Sequence, residues 1–247
     1  MATSPDAIRR DLAVITGAAT ADLRAVAAAA PEDPATLRAA LFAATPLIVT
    51  EYAEGAAALA LDWFEELRLE AGVSTPFHPI PFVTVTDDEI AAIVAQTTTS
   101  LYDLQRGIEQ EIEETFAEMM AELEDAMAQE VANGFRDTIV ENAKADPESG
   151  GWKRFAQPGA CKFCLMLAAR GAVYTEATAR FAAHGAITNG KRTGGDCRCI
   201  AGPEFGGQET WATATPMQYV ASKRKRTEAE RKALRAYLNA NFPDAPG

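Results

Sequence analysis

The cysteines of this chain are confined to one short stretch. All 4 lie between residues 161 and 199, as the pairs Cys161-Lys-Phe-Cys164 and Cys197-Arg-Cys199. Two thiolates two or three residues apart can bind one side of a divalent ion, and a second pair from another loop completes a tetrahedron. The spacing therefore predicts a structural zinc site. Disulfides and unliganded thiols are the alternatives, because the second pair is tighter than the usual Cys-x2-Cys.

The fourth ligand of this predicted site has two further candidates. His184 and Asp196 fall between the two cysteine pairs, and either could replace one thiolate. Four thiolates would fill the coordination sphere, whereas a catalytic zinc keeps one position open for water beside a general base. The composition of the ligand set therefore favours a structural role for the metal.

The residues around the cysteines resemble a known phage signature. The run 157–174 reads Gln-Pro-Gly-Ala-Cys-Lys-Phe-Cys-Leu-Met-Leu-Ala-Ala-Arg-Gly-Ala-Val-Tyr, and the second pair continues as Cys197-Arg-Cys-Ile-Ala-Gly-Pro203. Both parts are similar to the C-terminal module of the Mu F-like minor head proteins of tailed bacteriophages, especially those of actinophages. The likeness covers residues 152–205. One departure is Asp196, which stands in a stretch where the family often has histidine.

This resemblance implies a function and a set of partners. A Mu F-like protein is expected to be a non-enzymatic minor capsid component of the virion, associated with the portal or the capsid interior. It would act in head assembly, genome packaging or ejection. The expected partners are the portal protein, the major capsid protein or both, with packaged DNA reached through the C-terminal half. Such a protein would be oligomeric in the particle.

Charge divides the chain into two parts. Residues 1–150 carry 8 basic and 28 acidic side chains, a net charge of −20, and residues 151–247 carry 15 and 7, a net charge of +8. An acidic half avoids nucleic acid, whereas a basic half tolerates or attracts phosphate. Complementation between the halves, or between subunits, would explain the same division without nucleic acid.

The first part of the chain is predicted to be helical. Helices are expected over about 5–30, 35–71 and 87–145, with a bend or interruption at Pro46. Three prolines and β-branched residues make 72–86 an extended crossover. The third helix carries an apolar stripe that calls for a partner helix. Its members are Ile108, Ile112, Phe116, Met119, Leu123, Met127, Val131, Phe135 and Ile139.

Residues 1–146 are therefore assigned to an acidic helical region, and the turn-rich sequence 146–151 is the expected boundary. Residues 152–205 form the predicted cysteine-rich module, and 206–247 form a basic tail that ends in an amphipathic helix. Candidate contacts with nucleic acid or a protein partner come from two basic clusters. These are Lys191 and Arg192, and Lys223, Arg224, Lys225 and Arg226.

Other functional classes find little support in the sequence. The chain has 2 histidines, His78 and His184, and lacks the glycine-rich phosphate loops and the His-Glu-x-x-His motif, so no enzyme activity is expected. No uninterrupted run of 18 apolar residues predicts a membrane span. The N-terminus lacks the features of a signal peptide, which is consistent with synthesis in the host cytoplasm and reduced cysteines.

The sequence thus predicts a mainly α protein with long helices, a small irregular α(+β) zinc-stabilised module and a C-terminal helix. The expected function is that of a virion structural protein. The alternative is a zinc-module protein that binds nucleic acid through its basic C-terminal half.

Overall fold

Helix dominates the computed structural model of the chain. It accounts for 74% of the described residues, which confirms the expected mainly α fold. The structure describes residues 3–30, 33–101, 112–156, 165, 168, 187–188, 191–192, 199–206 and 228–241.

The helices and strands of the described residues follow one another along the chain. In order they are α1 (Pro5–Ala29), α2 (Pro34–Glu70), α3 (Asp87–Thr97), α4 (Ile112–Ala145), β1 (Ser149–Phe155), β2 (Ile187–Thr188), β3 (Lys191–Arg192), β4 (Ile200–Phe205) and α5 (Glu228–Asn241).

Polar side chains cap the first three helices. Ser4 accepts a hydrogen bond from an amide in the first turn of α1, and Asp33 accepts one from the Thr36 amide at 2.8 Å. Thr86 and Glu89 form a reciprocal capping box at the start of α3. Each cap satisfies amides that have no partner within the helix. Local sequence therefore decides where these helices begin, and α1 and α2 run close to their predicted bounds.

α2 passes through Pro46 without ending. A proline inside a helix removes one backbone hydrogen bond and crowds the preceding turn, which is why an interruption or bend was expected. The adjacent Thr45 is buried, and its hydroxyl donates to the Leu41 carbonyl at 2.7 Å. Leu41 and Val49 on either side are also buried. Burial of this face holds the helix continuous across the proline.

The predicted helix over 87–145 does not run unbroken, because α3 ends at Thr97. Thr98 forms the C-cap with non-helical torsions, φ −90° and ψ 15°. The hydroxyls of Thr97, Thr98 and Thr99 all donate to carbonyl groups three or four residues earlier. Such bonds compete with the helical backbone ladder. Three consecutive threonines therefore interrupt a segment that its apolar periodicity would have continued, and residues 99–101 are helical again.

The chain folds into two compact units, each assembled from separated segments. The helical unit contains Arg10–Ala60 and Pro81–Thr138. The sheet unit contains Met1–Arg9, Leu61–Ile80 and Ile139–Gly247.

The helical unit buries the apolar stripe predicted on α4. Met119, Leu123, Met127, Val131 and Phe135 are at most 2% exposed. The stripe was expected to pack against another helix. A helix of the same chain fills this role, as the surroundings of Gly134 on α4 show. A Cβ atom added to Gly134 would lie 2.5 Å from the Ala53 carbonyl oxygen, so α4 approaches the backbone of α2.

Polar contacts at the surface of the helical unit join the same helices. Arg24 on α1 forms a bidentate pair with Glu124 on α4, at 2.6 and 2.5 Å. Part of the crossover also packs here, because the Thr138 hydroxyl bonds both the amide and the carbonyl of Phe82, at 3.0 and 3.1 Å. The acidic side chains of α4 are thus partly paired, and Glu118 and Glu122 are exposed.

The sheet unit is built on one antiparallel pair of strands. β1 pairs with β4, with Trp152 opposite Pro203 and Phe155 opposite Ile200. The register shifts between Ser149 and Trp152, where Gly151 has φ 113°. A left-handed residue of this kind is tolerated best by glycine. The irregularity bends the start of β1 away from regular pairing.

A buried ion pair ties the other segments of the sheet unit together. Arg68 donates to Asp146 at 2.5 Å and to the Thr75 carbonyl at 2.9 Å, and the Asp146 side chain is 0% exposed. The Arg68 guanidinium lies 5.3 Å from the Phe77 ring centroid and 6.0 Å from that of Phe205. One cation thereby contacts the end of α4, the crossover and β4.

α1 is long and apolar enough to cross a membrane by length and composition, and one side of it is buried in the structure. Pro5–Ala29 passes a span criterion that buried helices and signal sequences also pass. Ile8, Leu12, Ala19 and Leu23 on one side of the helix are buried. α1 therefore contributes an apolar face to the core of this chain.

Candidate metal centre

The β1–β4 pair brings together the two stretches of chain that lead to the cysteines. Phe155 lies opposite Ile200, so the end of β1 is adjacent to the start of β4. Cys199 immediately precedes β4, and Cys161 follows Ala156 by five residues. Five residues span at most about 17 Å when fully extended. A chain of this length therefore allows Cys161 to reach the neighbourhood of Cys199.

Cys199 is the predicted ligand that the structure describes. The residue is buried, with 1% exposure. The other predicted metal-binding residues, Cys161, Cys164, Cys197, His184 and Asp196, lie outside the described residues. Among the residues that are described, no group of three or more His, Cys, Asp or Glu side chains could hold a metal.

The chemistry of this position fits a structural zinc ligand. A buried cysteine next to the first residue of a strand matches the ligand type that structural zinc uses. Beyond Cys164, Leu165 and Ala168 are helical and buried, with 4% and 2% exposure. Apolar residues thus flank the cysteines on both sides.

The N-terminal segment of the chain supports the end of β1. Arg9 Nη2 donates to the Ala156 carbonyl at 2.8 Å, at the point where β1 leads towards Cys161. Arg9 is held in turn by an ion pair with Asp6. Trp63 Nε1 donates to the Thr3 carbonyl at 2.7 Å. Residues that are far apart in the sequence therefore support the end of β1, which leads to the candidate site.

β4 requires glycine at position 202. A Cβ atom there would lie 2.5 Å from Phe155 Cε2 and 2.8 Å from Trp63 Cη2. The two rings already contact one another edge to face, with centroids 5.9 Å apart. Gly202 thus lets β4, which follows Cys199, lie directly against the rings of Phe155 and Trp63. The sequence pattern gave no signal for this contact.

The predicted contact residues of the C-terminal half are described only in part. Lys191 and Arg192 form β3, which pairs with β2 so that Thr188 is opposite Lys191 and Ile187 opposite Arg192. These residues therefore form a short antiparallel strand pair. Lys223, Arg224, Lys225 and Arg226 lie outside the described residues, just before α5.

Shifted pKa values occur in the helical unit, on exposed side chains. Hydrogen bonds from the Thr36 hydroxyl and amide lower the pKa of Asp33, and a hydrogen bond to Asp22 raises the pKa of Tyr52. The bond to Glu124 raises the pKa of Arg24. Each pKa shift is caused by a helix cap or by a surface pair, and is therefore explained by the way the helices are held together.

Comparison with known proteins assigns the chain to a family. It belongs to the VG15 protein family, whose family model matches residues 1–226. This is a family of phage proteins, and membership indicates a virion-associated protein. Comparisons with curated proteins and with solved structures gave no match.

Proposed function

We propose that this phage protein is a minor head protein of the Mu F-like type, without enzymatic activity, that attaches to the portal or to the inner face of the capsid. The main support is the extent of the family match, since residues 1–226 take in the acidic helices as well as the cysteine segment. The resemblance of residues 152–205 to the Mu F-like module supports the finer assignment. In this role the protein acts in head assembly, genome packaging or ejection.

In this proposal the cysteine segment is a zinc-stabilised module. Cys161, Cys164, Cys197 and Cys199 hold the metal, with His184 or Asp196 as a replacement for one thiolate. Support comes from the burial of Cys199 and from the pairing of Phe155 with Ile200, which puts the end of β1, a few residues before Cys161, beside the start of β4. Bound zinc supplies a cross-link between these stretches, and its binding free energy becomes folding free energy.

The metal is tested on the purified full-length chain. We expect about one equivalent of zinc per chain and a lower thermal stability of the sheet unit after chelation. Cys199→Ser should release zinc, and His184→Ala or Asp196→Ala should do so only if that residue is a ligand. Exposed Ala233 on α5, replaced by Ser, serves as a control in the same unit. Unchanged melting after complete chelation would exclude a structural zinc.

The portal assignment is tested by sedimentation with isolated portal rings and with assembled heads. The four basic residues before α5 are the proposed contact, because an acidic protein surface would attract them. Replacing Lys223, Arg224, Lys225 and Arg226 together by Gln should weaken co-sedimentation and reduce its dependence on salt. Lys232→Gln on the exposed side of α5 is the control. Equal sedimentation of all three proteins would remove the tetrad from the interface.

A second candidate function is binding of nucleic acid by the zinc module and the basic tail. The observation that favours it is the net charge of +8 over residues 151–247. Binding through phosphate contacts weakens with salt by a slope that reports the number of contacts. A steep slope for DNA, reduced by neutral variants of Lys191 and Arg192, would favour this candidate. Salt-dependent binding to portal with no binding to DNA would favour the head protein.

A further inference from the structure

The crossover between α2 and α3 is held by side chains of α4 that bond its main chain. The Asn142 side chain accepts a hydrogen bond from the Ile80 N–H at 2.9 Å and donates to the Ile80 carbonyl at 2.7 Å. Four residues earlier on α4, the Thr138 hydroxyl likewise accepts from the Phe82 N–H at 3.0 Å and donates to its carbonyl at 3.1 Å. Thr138 and Asn142 are 0% and 1% exposed, so two buried polar side chains of α4 serve this segment.

The spacing of these bonds matches the geometry of both partners. Four residues of an α-helix rise about 6 Å, and two residues of an extended chain advance about 6.6 Å. Side chains at positions 138 and 142 therefore meet every second residue of the crossover, which runs in the opposite direction. The bonds reach main-chain atoms only, and the Ile80 side chain is 54% exposed. α4 thus binds the crossover through its extended backbone.

The opposite edge of the crossover is closed in a different way. Backbone groups of successive residues in an extended chain point to opposite edges, so the edge away from Ile80 and Phe82 belongs to their neighbours Pro79 and Pro81. Proline has no N–H group and cannot donate to the ladder of a sheet. The closed crossover therefore keeps the donors at positions 80 and 82 on α4 and has no donor at 79 or 81.

Few other contacts hold the crossover in place. In the described part of the chain, no backbone–backbone hydrogen bond involves residues 74–85, and none of these residues is buried. A segment with few buried contacts opens at a lower free energy than the core around it. The other attachments are side-chain contacts: the half-buried Phe77 ring with Phe64 and Arg68, Thr75 with Arg68 and Glu148, and Thr84 with Asp137.

We infer that the crossover is a conformational latch, which opens as one segment while α2 and α4 stay folded. Thr138 and Asn142 set the equilibrium, because their bonds are the attachments in the middle of the segment. Opening frees the N–H and C=O groups of Ile80 and Phe82 together, and so uncovers the strand edge that the closed form keeps on α4. Prolines at 76, 79 and 81 restrict the open segment and favour its return to the extended form.

The test is native-state hydrogen exchange of the full-length chain, followed residue by residue by NMR. In the unmodified protein the Ile80 and Phe82 amides should exchange at least about 100-fold faster than that of Val131, which is 0% exposed on α4, and with little dependence on urea. Thr138→Val removes both bonds to Phe82 and should accelerate both amides by about 5- to 30-fold. Thr20→Val removes a hydroxyl that is bonded to the Gly17 carbonyl within α1, and this matched control should change neither amide.

The Ile80 amide decides the outcome, because its own bond to Asn142 is untouched by Thr138→Val. Faster exchange at Phe82 alone would overturn the latch, since the two contacts would then open separately. Exchange of both amides as slow and as urea-dependent as that of Val131 would also overturn it, because the crossover would then open only in global unfolding.

If Thr138→Val fails to fold, Thr84→Val replaces it. This change removes an exposed hydrogen bond to Asp137 and should accelerate the Ile80 and Phe82 amides together by about 2- to 10-fold. An unchanged Ile80 amide in Thr84→Val overturns the inference.

Discussion

Gly134 on α4 provides the sharpest test of the helical packing. In Gly134→Ala the new Cβ would lie 2.5 Å from the Ala53 carbonyl oxygen, 3.0 Å from its carbon and 3.1 Å from its Cα. All three are backbone atoms, so no side chain can rotate away. Relief requires α4 and α2 to separate by several tenths of an ångström along a tightly packed seam. Overpacking of this kind costs about 1–3 kcal/mol.

A competing effect has the opposite sign. Replacing glycine by alanine inside a helix stabilises it by about 1 kcal/mol, because alanine has less backbone freedom to lose. Gly55 on α2 shows this effect alone, since a Cβ there would meet nothing within 4 Å. We expect Gly55→Ala to stabilise the protein by about 0.5–1 kcal/mol. Gly134→Ala should destabilise it by about 0–2 kcal/mol, the difference between the overpacking cost and the gain in helix propensity, and should therefore be less stable than Gly55→Ala.

The measurement is urea unfolding followed by far-UV circular dichroism for the unmodified chain and both variants. Equal slopes with shifted midpoints would report a change of stability in the native state. A Gly134→Ala protein as stable as Gly55→Ala would refute the close approach of α4 to α2. The matched pair is informative because the chemical change is the same in both helices.

Three further changes test separate parts of the structure. Leu123→Asp puts a carboxylate in a position of 0% exposure and should cost about 4 kcal/mol in urea unfolding; a fully stable variant would contradict the burial of the α4 stripe. Asp146→Asn leaves the Arg68 cation without its charged partner and should cost about 3–5 kcal/mol by the same measurement, whereas a loss below 1 kcal/mol would show that the pair is solvated. Hydrogen bonds from Thr36 lower the pKa of Asp33 in the folded protein below its ordinary value of 3.8. The charged carboxylate therefore stabilises the fold at pH values above 3.8, and this contribution is lost as the pH falls through the lower, folded pKa. Asp33→Asn should accordingly be less stable than the unmodified chain at neutral pH and approach it in acid, and a difference independent of pH would contradict the cap.

Several elements follow from short-range sequence alone. The Ser4 and Asp33 caps fix the starts of α1 and α2, and the capping box at Thr86 fixes the start of α3. The apolar period of α4 correctly identified its buried face. These features depend on residues a few positions apart, so one sequence contains all that is needed to recognise them. The clustered cysteines and the charge division are likewise readable without a structure.

Other features depend on residues that are far apart in the chain. Continuity of α2 through Pro46 reflects the burial of Leu41, Thr45 and Val49 around the proline. The sequence divides the chain linearly, whereas the sheet unit joins Met1–Arg9 and Leu61–Ile80 to Ile139–Gly247.

The candidate site also contains features that depend on residues far apart in the chain. Sequence spacing alone singled out Cys199, because ligands of one metal tend to occur in close pairs. It could not single out Gly202, whose requirement comes from Trp63 and Phe155. A residue's identity and near neighbours set its local conformation and chemistry. Which distant group it meets is decided by the pairing of β1 with β4, and only the tertiary structure contains that information.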